Sequence, residues 1–300
     1  MAHANIFLER YKSLGISIQQ LLAITEVKQT IRINTLKVTE KETIERLRAQ
    51  GVSVEKVPFL DYGYWVKKAK QSVGAMPEYL FGHYYIQETA AQVPVQILKP
   101  TKEEIVLDMS AAPGGKTTQI AQYMENEGVL IAMDNNIFRL QSLQNNIERT
   151  GVSNCLVYNK DGRYVQDIKI TFDKILLDAP CSGNFVVDKE WFNKKTIEGI
   201  KERSYLQKEM LTAAVQILKK GGTLIYSTCS LEPEENEMVI DWAIKNIENI
   251  EIQEIDFPLG DKGIKNPFGI LLHSDVEKCK RFWPHKTKTQ GFFVAKIKKL

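Results

Sequence analysis

The chain has 300 residues, of which 43% are hydrophobic and 26% charged, the balance of a globular protein. No stretch approaches the roughly 20 apolar residues that a membrane span needs, and Glu9, Arg10 and Lys12 interrupt the apolar start where a signal peptide would lie. A net charge of +3 is too small to indicate a nucleic-acid partner. The composition favours a cytoplasmic protein without a membrane partner.

The four cysteines are Cys155, Cys181, Cys229 and Cys279. They form no Cys-x-x-Cys pair and show no zinc spacing with histidine, so no metal site is expected. In a reducing compartment they are expected to be free thiols. Each is therefore either a packing residue or part of the chemistry.

The first hundred residues predict an N-terminal helix followed by a small α+β unit. Apolar periodicity and turn residues give the boundaries. The expected elements are helices over 7–24, 39–50 and 87–98 and strands over 31–36, 52–57 and 64–66. The change in character that follows predicts a domain of residues 1–86 and a second domain of residues 87–300.

From residue 104 onward, strands and helices alternate. The expected strands are 105–108, 129–134, 155–159, 173–178 and 223–228, and the expected helices are 116–124, 138–150 and 200–219. Such alternation predicts an α/β fold, a parallel sheet with helices on both faces. Right-handed crossovers give the strand order 3-2-1-4-5, with a binding crevice at the carboxyl ends of strands 1 and 4.

The turn after the first of these strands, residues 107–118, lies where a doubly wound fold binds its cofactor. A Walker P-loop needs glycine at position 110, which is Ser110, and Pro113 removes an N–H from the phosphate cradle. A dinucleotide fingerprint needs three spaced glycines, whereas Gly114 and Gly115 are adjacent. The third interpretation is a methyl-donor site, in which small residues let the backbone approach the donor closely.

Four acids at successive strand ends favour the methyl donor. They are Asp108, Asp134, Asp161 and Asp178. S-adenosylmethionine carries a sulfonium, an ammonium and a ribose diol but no phosphate, so a carboxylate rim suits it. Asp134 stands where a ribose-binding acid belongs, and Asp161 is a candidate for the adenine amine.

Two cysteines follow neighbouring strands of the predicted sheet. Cys181 comes after the strand that ends at Asp178, and Cys229 comes after the strand that ends at Thr228. Adjacent strands lie about 5 Å apart, so both thiols are expected in one crevice. The alternative is two buried packing residues, since a free Cys often behaves as a small hydrophobe.

Three segments resemble the RNA 5-methylcytosine methyltransferases of the Nop2/Sun family, which are RsmB-like, and the resemblance covers nearly the whole chain. They are the glycine turn at 108–118, Asp-Ala-Pro-Cys-Ser-Gly at 178–183, and Tyr-Ser-Thr-Cys-Ser at 226–230 followed by Pro-Glu-Glu-Asn at 233–236. The resemblance implies a Rossmann-like catalytic domain that uses S-adenosylmethionine. It also implies that residues 30–85 form an RNA-recognition-like domain.

The resemblance also implies roles for single residues. Cys229 would be the nucleophile that adds to carbon 6 of cytosine, and Cys181 would help to release the methylated RNA. Asp178 would stabilise charge at ring nitrogen 3, and Lys116 would tune a thiol or orient a carboxylate. The implied cofactor contacts are Ser110, Ala111, Ala112, Pro113, Gly114, Gly115, Lys116, Asp134, Arg139, Asp161 and Asp178.

RNA is the expected partner. A minimal enzyme of this kind favours tRNA, as in archaeal-type tRNA methyltransferases, while rRNA stays open, and a monomer is expected. Asn184-Phe185 departs from the family pattern and is expected to reshape the target-base pocket. Candidates for stacking on the flipped base, or for core packing, are Tyr84, Tyr85, Phe185, Trp191 and Phe192.

Basic residues are the candidates for binding RNA phosphates. They are Arg32, Lys67, Lys68, Lys70 and a tail over 276–300 that holds eight cations and one acid, eight minus one giving +7. The alternative for the tail is a solvated edge.

Three other functions compete with this interpretation. A catalytically silent RNA-binding factor would share the fold, but Cys181 and Cys229 are both intact. A protein or small-molecule methyltransferase would carry an Asn/Asp-Pro-Pro-Tyr motif after strand 4, which Asp178-Ala179-Pro180-Cys181 does not match. An NTPase would bind nucleotide.

Overall fold

The computed structural model describes residues 2–24 and 26–300, and it describes side chains from residue 6 onward. The strands are β1 Thr30–Ile33, β2 Ser53–Lys56, β3 Gly63–Lys68, β4 Tyr84–Ile86, β5 Ile105–Asp108, β6 Val129–Asp134, β7 Cys155–Asn159, β8 Phe172–Asp178, β9 Leu218–Thr228, β10 Ile250–Gln253, β11 Asp261–Lys262, β12 Lys280–Phe282 and β13 Phe292–Lys299. The helices are α1 Ala2–Ser13, α2 Ile18–Leu22, α3 Glu40–Ala49, α4 Pro77–Leu80, α5 Thr89–Leu98, α6 Gly115–Tyr123, α7 Ile137–Thr150, α8 Trp191–Lys194, α9 Ile197–Ile217, α10 Glu237–Asn246 and α11 Pro284–Thr287. None of the helices in these ranges is long and apolar enough to cross a membrane.

The strands form a small antiparallel sheet and a larger mixed sheet. The small sheet has the order β2-β3-β1-β4, and the larger has the order β11-β12-β13-β9-β8-β5-β6-β7, with β10 paired to β13. Strand β5 is parallel to β6 and β8, and β6 is parallel to β7. The run β7-β6-β5-β8-β9 is the predicted order 3-2-1-4-5, which confirms the expected α/β fold class.

The chain groups into two compact units. The outer unit comprises Met1–Val27 and Leu177–Leu300, and the middle unit comprises Lys28–Leu176. Helix α1 belongs to the outer unit because its Phe7 and Tyr11 are buried in the same apolar cluster as Trp191 and Leu231. The domain boundary expected between residues 86 and 87 stays a prediction.

In the middle unit, the small sheet packs its apolar face on α3, with Ile31, Ile33 and Leu47 fully buried. The intervening Arg32 is 1% exposed. Its guanidinium donates to Thr118 Oγ1 at 2.8 Å and to Gln122 Oε1 at 3.1 Å. Burial lowers the pKa of Arg32 to about 9. The prediction that Arg32 binds RNA phosphates is therefore wrong, because the sheet buries its charge.

In the outer unit, β13 extends the sheet along β9 in an antiparallel register from Phe293↔Thr228 to Lys298↔Thr223. No strand or helix beyond residue 228 was expected from the sequence. Three cations of the basic tail pair with acids. Arg281 is fully buried and lies 2.5 Å from Glu237, Lys278 lies 3.1 Å from Asp275, and Lys286 lies 2.5 Å from Asp261. The phosphate role is wrong for Arg281, because its charge is buried, and it stays a prediction for the rest of the tail.

The single helix expected over 7–24 is wrong, because the chain forms α1 and α2 there. Gly15 adopts a φ of 79°, which ends the first helix region, and the Ser17 side chain caps the second by accepting from Gln20 N at 3.5 Å. The strand expected over 31–36 ends at Ile33. The next residue, Asn34, turns its amide to the carbonyls of Gly82 and Thr150, each at 2.8 Å.

We expect Gly82→Ala to destabilise the protein far more than Gly51→Ala. Both glycines have positive φ, 75° and 78°, which costs an alanine about 1–2 kcal/mol. A Cβ at residue 82 would also lie 1.9 Å from the Arg149 carbonyl oxygen, whereas one at residue 51 meets only the flexible Lys70 side chain at 3.2 Å. Urea unfolding of the two variants measures the difference, and equal losses would contradict the proposed close approach.

Candidate active site

The glycine turn of the middle unit links β5 to α6. Strand β5 ends at the buried Asp108, whose Oδ2 accepts from Thr117 Oγ1 at 2.7 Å. Gly114 precedes α6 with a φ of 110°, and a Cβ there would lie 3.0 Å from Leu143 Cδ1. The positive φ therefore favours glycine at this position, and a larger residue would also have to displace the Leu143 side chain of α7 slightly.

Asp134 holds the turn from the end of β6. Its side chain is 2% exposed, and its Oδ2 accepts from Ala112 N at 3.3 Å and lies 3.1 Å from Arg139 Nη1. Arg139 also donates through Nη2 to the Ala112 carbonyl oxygen. The backbone is tied further by Ala111 N, which donates to the Met133 carbonyl at 2.7 Å. The carboxylate at 134 thus fixes the turn and already has one cationic partner.

The other predicted cofactor residues lie in the same unit. Ser110 and Lys116 are partly exposed, Ala111 and Ala112 are buried, and Pro113 is exposed. Asp161 caps the 3-10 helix Gly162–Ile168 and pairs with Arg163 at 2.7 Å, and the hydrogen bond from Arg163 lowers the pKa of Asp161.

These residues fit the methyl donor that the sequence analysis expected. Alanine and glycine line the turn, and the acids Asp108, Asp134 and Asp161 follow three strands that are neighbours in the sheet. Two of these acids carry an arginine partner, so the rim is less anionic than the sequence suggests. Among the residues with described side chains, no group of three His, Cys, Asp or Glu is arranged to hold a metal ion.

Two thiols of the outer unit lie in contact. The Sγ atoms of Cys181 and Cys229 are 3.1 Å apart, and both side chains are partly exposed. The strands before them are joined where Ala179 N donates to the Ser227 carbonyl at 2.8 Å. Asp178 Oδ1 accepts from Ser227 Oγ at 2.7 Å. The expectation that both thiols share one crevice therefore has direct support from the distance between the sulfurs.

The two sulfurs share a contact in which either thiol can be the donor. The hydrogen bond with Cys229 raises the pKa of Cys181 well above its usual range, and burial and the charges of Cys229 and Glu235 act in the same direction. Cys181 therefore keeps its proton to a higher pH than an ordinary thiol does.

Polar side chains behind the cysteines tie their loops together. Asn184 donates to the Cys229 carbonyl at 2.7 Å, and Asn236 donates to the Ser230 carbonyl at 3.0 Å. The buried Glu235 accepts from Ser182 N at 2.9 Å. Neither Glu235 nor Asn236 was expected from the sequence to have a role. Both lie in the Pro-Glu-Glu-Asn segment at 233–236, whose match to the family was the only feature that pointed to them.

Helix α1 anchors the segment that follows Cys229. Arg10 pairs with Glu232 at 3.0 Å and with Glu234 at 2.6 Å, and Tyr11 OH donates to Glu232 Oε1 at 2.6 Å. Burial raises the pKa of Glu232 to about 7, although the arginine opposes the shift. The N-terminal helix therefore supports the cysteine loops, a function that the sequence pattern did not indicate.

Burial decides between stacking and packing for several aromatic candidates. Trp191 is fully buried, contacts Phe7 with ring centroids 4.6 Å apart, and donates through Nε1 to the Ser182 carbonyl at 2.9 Å. Tyr84 is also fully buried and donates to the Val73 carbonyl at 2.6 Å. Phe185 is 8% exposed and stacks on Phe192 at 5.1 Å. Trp191 and Phe185 therefore pack in the apolar core of the outer unit, and Tyr84 packs in that of the small sheet.

The fold and the residues at the strand ends define a methyltransferase. The sequence profile described as 16S rRNA methyltransferase RsmB/F matches residues 95–298, and that of the N-terminal domain of 16S rRNA methyltransferase RsmF matches residues 4–89. The chain belongs to the RsmB/F methyltransferase family, which confirms the resemblance seen in the sequence.

Relatives act on different RNAs. A tRNA (cytosine(49)-C(5))-methyltransferase of Pyrococcus abyssi is 38% identical over 91% of this chain and 88% of its own length. A 28S rRNA (cytosine-C(5))-methyltransferase of Mus musculus is 39% identical over 90% of this chain. The chain spans only 35% of the length of that relative. A solved structure of a methyltransferase homolog protein from Pyrococcus horikoshii superposes with a TM-score of 0.86 and 36% identity, covering 98% of both chains.

We expect Cys229→Ala to make Cys181 easier to alkylate. The mutation removes the largest cause of the raised pKa of Cys181, so that pKa falls and the thiolate appears at lower pH. Peptide-resolved iodoacetamide labelling between pH 6 and 10 measures the midpoint. Cys155→Ala, which alters a cysteine on β7, is the matched control. An unchanged midpoint for Cys181 would contradict the hydrogen bond between the sulfurs.

Proposed function

We propose that the protein transfers a methyl group from S-adenosylmethionine to carbon 5 of cytosine in RNA, with Cys229 as a covalent nucleophile. The observation that carries the proposal is the pair of sulfurs 3.1 Å apart at the ends of β8 and β9. A single packing cysteine needs no thiol partner. A reaction that adds one thiol to the base and later expels it can use a second thiol beside the first as an acid or base during release.

Cytosine needs such a thiol because its carbon 5 is a weak nucleophile. The Cys229 thiolate adds to carbon 6, and the electron pair of the 5,6 double bond moves toward carbon 5. S-adenosylmethionine, when bound, supplies an electrophilic methyl group on a sulfonium. A base then takes the proton from carbon 5, the electron pair left on that carbon restores the 5,6 double bond, and the bond between carbon 6 and Cys229 breaks with its electron pair returning to sulfur.

The other residues of the outer unit serve this sequence of bonds. Cys181 lies 3.1 Å from Cys229 and has a raised pKa, so it is the proposed proton carrier during release: its thiol protonates the departing Cys229 sulfur, and the Cys181 thiolate that remains takes the proton from carbon 5. Asp178, oriented by Ser227 at 2.7 Å, is the proposed partner of ring nitrogen 3.

Residues of the middle unit would hold the donor. The turn 110–116 provides close backbone approach, Asp134 is the proposed acceptor for the ribose hydroxyls, and Asp161 the proposed partner of the adenine amine. Arg139 would keep Asp134 in place through the contact at 3.1 Å. Lys116, the second residue of α6, would orient a carboxylate or a thiol.

The proposed substrate is tRNA. The support is a tRNA methyltransferase relative that matches this chain over 88% of its own length, whereas the mouse rRNA relative is matched over 35%. Bisulfite sequencing of RNA from cells with and without the protein tests this proposal. A methylated cytosine that is lost from rRNA alone would overturn it. The expectations of a monomer and of a cytoplasmic location stay predictions.

We expect Cys229→Ala to abolish methylation and Cys181→Ala to trap a covalent protein–RNA adduct. The first change removes the nucleophile, and the second slows release without preventing addition. Denaturing gels with labelled RNA detect the adduct, and calorimetry with S-adenosylhomocysteine checks that both variants still bind the donor product. An adduct that accumulates with Cys229→Ala instead would reverse the two roles.

We expect Asp134→Asn to weaken binding of S-adenosylhomocysteine by about 10- to 100-fold, since each tenfold loss corresponds to about 1.4 kcal/mol and a hydrogen bond to a charged group contributes about 1.5–3 kcal/mol. Isothermal titration calorimetry measures the affinity. The control is Asp167→Asn, the same change at an exposed acid that pairs with Lys160 at 2.7 Å. Equal affinities for the two variants would exclude Asp134 as a ligand of the ribose.

A further inference from the structure

The side chain of Glu235 lies fully buried behind both cysteine loops. Its Oε1 accepts from Ser182 N at 2.9 Å and from Gln207 Nε2 at 3.1 Å. Its Oε2 accepts from the hydroxyls of both Ser182 and Ser230. Each of these serines directly follows one of the paired cysteines, so a single carboxylate is bonded to the residues next to Cys181 and Cys229.

The four donors fix the ionised carboxylate in one orientation. Burial raises the pKa of Glu235, while the hydrogen bonds from Ser182 and Ser230 oppose that shift. The two serine hydroxyls are also 3.2 Å from each other, so the two oxygens and Oε2 are all in mutual contact. A movement of either cysteine loop would break a hydrogen bond to this buried group, which is destabilising.

The backbone of Glu235 is anchored as well. Its carbonyl accepts from Tyr226 OH at 2.6 Å, and that tyrosine lies in β9 three residues before Cys229. The backbone of Glu235 is therefore held by β9, the strand that precedes Cys229. Its carboxylate bonds to Ser182 in the loop that contains Cys181. Its negative charge also acts on Cys181, whose pKa it helps to raise.

We propose that Glu235 is a positioning residue that holds Cys181 and Cys229 at their contact distance, so that the two thiols act in turn on the same cytosine. The proposal rests on the proposed function for its kinetic consequence, but its structural part concerns the thiol pair alone. Glu235 touches neither sulfur through the hydrogen bonds described, and it acts through Ser182 and Ser230.

The test compares Glu235→Gln with Glu234→Gln. Both changes remove one carboxylate charge from adjacent residues, but Glu234 pairs with Arg10 at 2.6 Å and not with the serines. A glutamine at 235 has nearly the same volume and keeps one acceptor oxygen. Its NH2 group, however, cannot accept the hydrogen bond that a serine hydroxyl donates to the carboxylate. Ser182→Ala is a milder second variant that removes one of the hydroxyls and keeps the charge. Thermal melting of the purified full chain shows whether each variant folds.

The first measurement is alkylation, which needs no RNA. With iodoacetamide as the probe, Glu235→Gln is expected to lower the alkylation midpoint of Cys181, because a neighbouring negative charge is lost. Glu234→Gln is expected to leave that midpoint unchanged. The same midpoint in both variants would overturn the proposed effect of Glu235 on the thiol pair.

The second measurement is methylation of an unmodified tRNA transcript. Glu235→Gln is expected to lower kcat by about 10- to 100-fold with KM within about twofold, because positioning affects the chemical step more than RNA binding. Ser182→Ala is expected to give a smaller loss in kcat, and Glu234→Gln none. A kcat for Glu235→Gln equal to that of Glu234→Gln would overturn the positioning role.

Failure of the proposed function gives a different result. In that case the unmutated protein methylates no cytosine in any RNA, while the alkylation midpoints of Cys181 still separate Glu235→Gln from Glu234→Gln. A transcript containing 5-fluorocytidine adds a further readout, because fluorine at carbon 5 cannot leave as a proton does and the adduct persists. Glu235→Gln is expected to form this adduct at least tenfold more slowly than Glu234→Gln, and equal rates would again overturn the proposal.

Discussion

The contact between the sulfurs of Cys181 and Cys229 is the interaction on which the proposed chemistry depends. It exists because β8 and β9 are neighbours in the sheet and end side by side, so that the two loops leave at the same edge. The contact raises the pKa of Cys181, and Cys229 is the proposed nucleophile of the pair.

The rest of the outer unit maintains this contact. Three layers of polar contacts lie behind the thiols: Asn184 binds the Cys229 carbonyl, Glu235 joins the two serines, and Arg10 of α1 pairs with Glu232. Each layer is buried or partly buried, where a broken hydrogen bond to a charge is costly. Reactive loops of irregular backbone therefore keep a fixed geometry without belonging to a helix or a strand.

The middle unit contains the turn that is proposed to bind the methyl donor. Asp134 and Arg139 restrain this turn, in which four of the five residues from 111 to 115 are alanine or glycine. Buried polar groups also stabilise this unit. Arg32 joins the small sheet to α6, because it donates hydrogen bonds to Thr118 and Gln122. From the sequence, this charged residue was expected at the surface.

The sequence by itself determined the parallel strands, the glycine turn and the positions of both cysteines after two strands, because apolar periodicity and turn residues are local signals; the handedness of the crossovers then set the strand order. It did not determine the strands after residue 228, the burial of Arg32 and Arg281, or the contacts of Glu235. These depend on partners distant along the chain, such as Glu237 for Arg281 and Ser182 for Glu235. A charged residue looks the same in a sequence whether water or a buried partner satisfies it, so only the tertiary structure decides between the two.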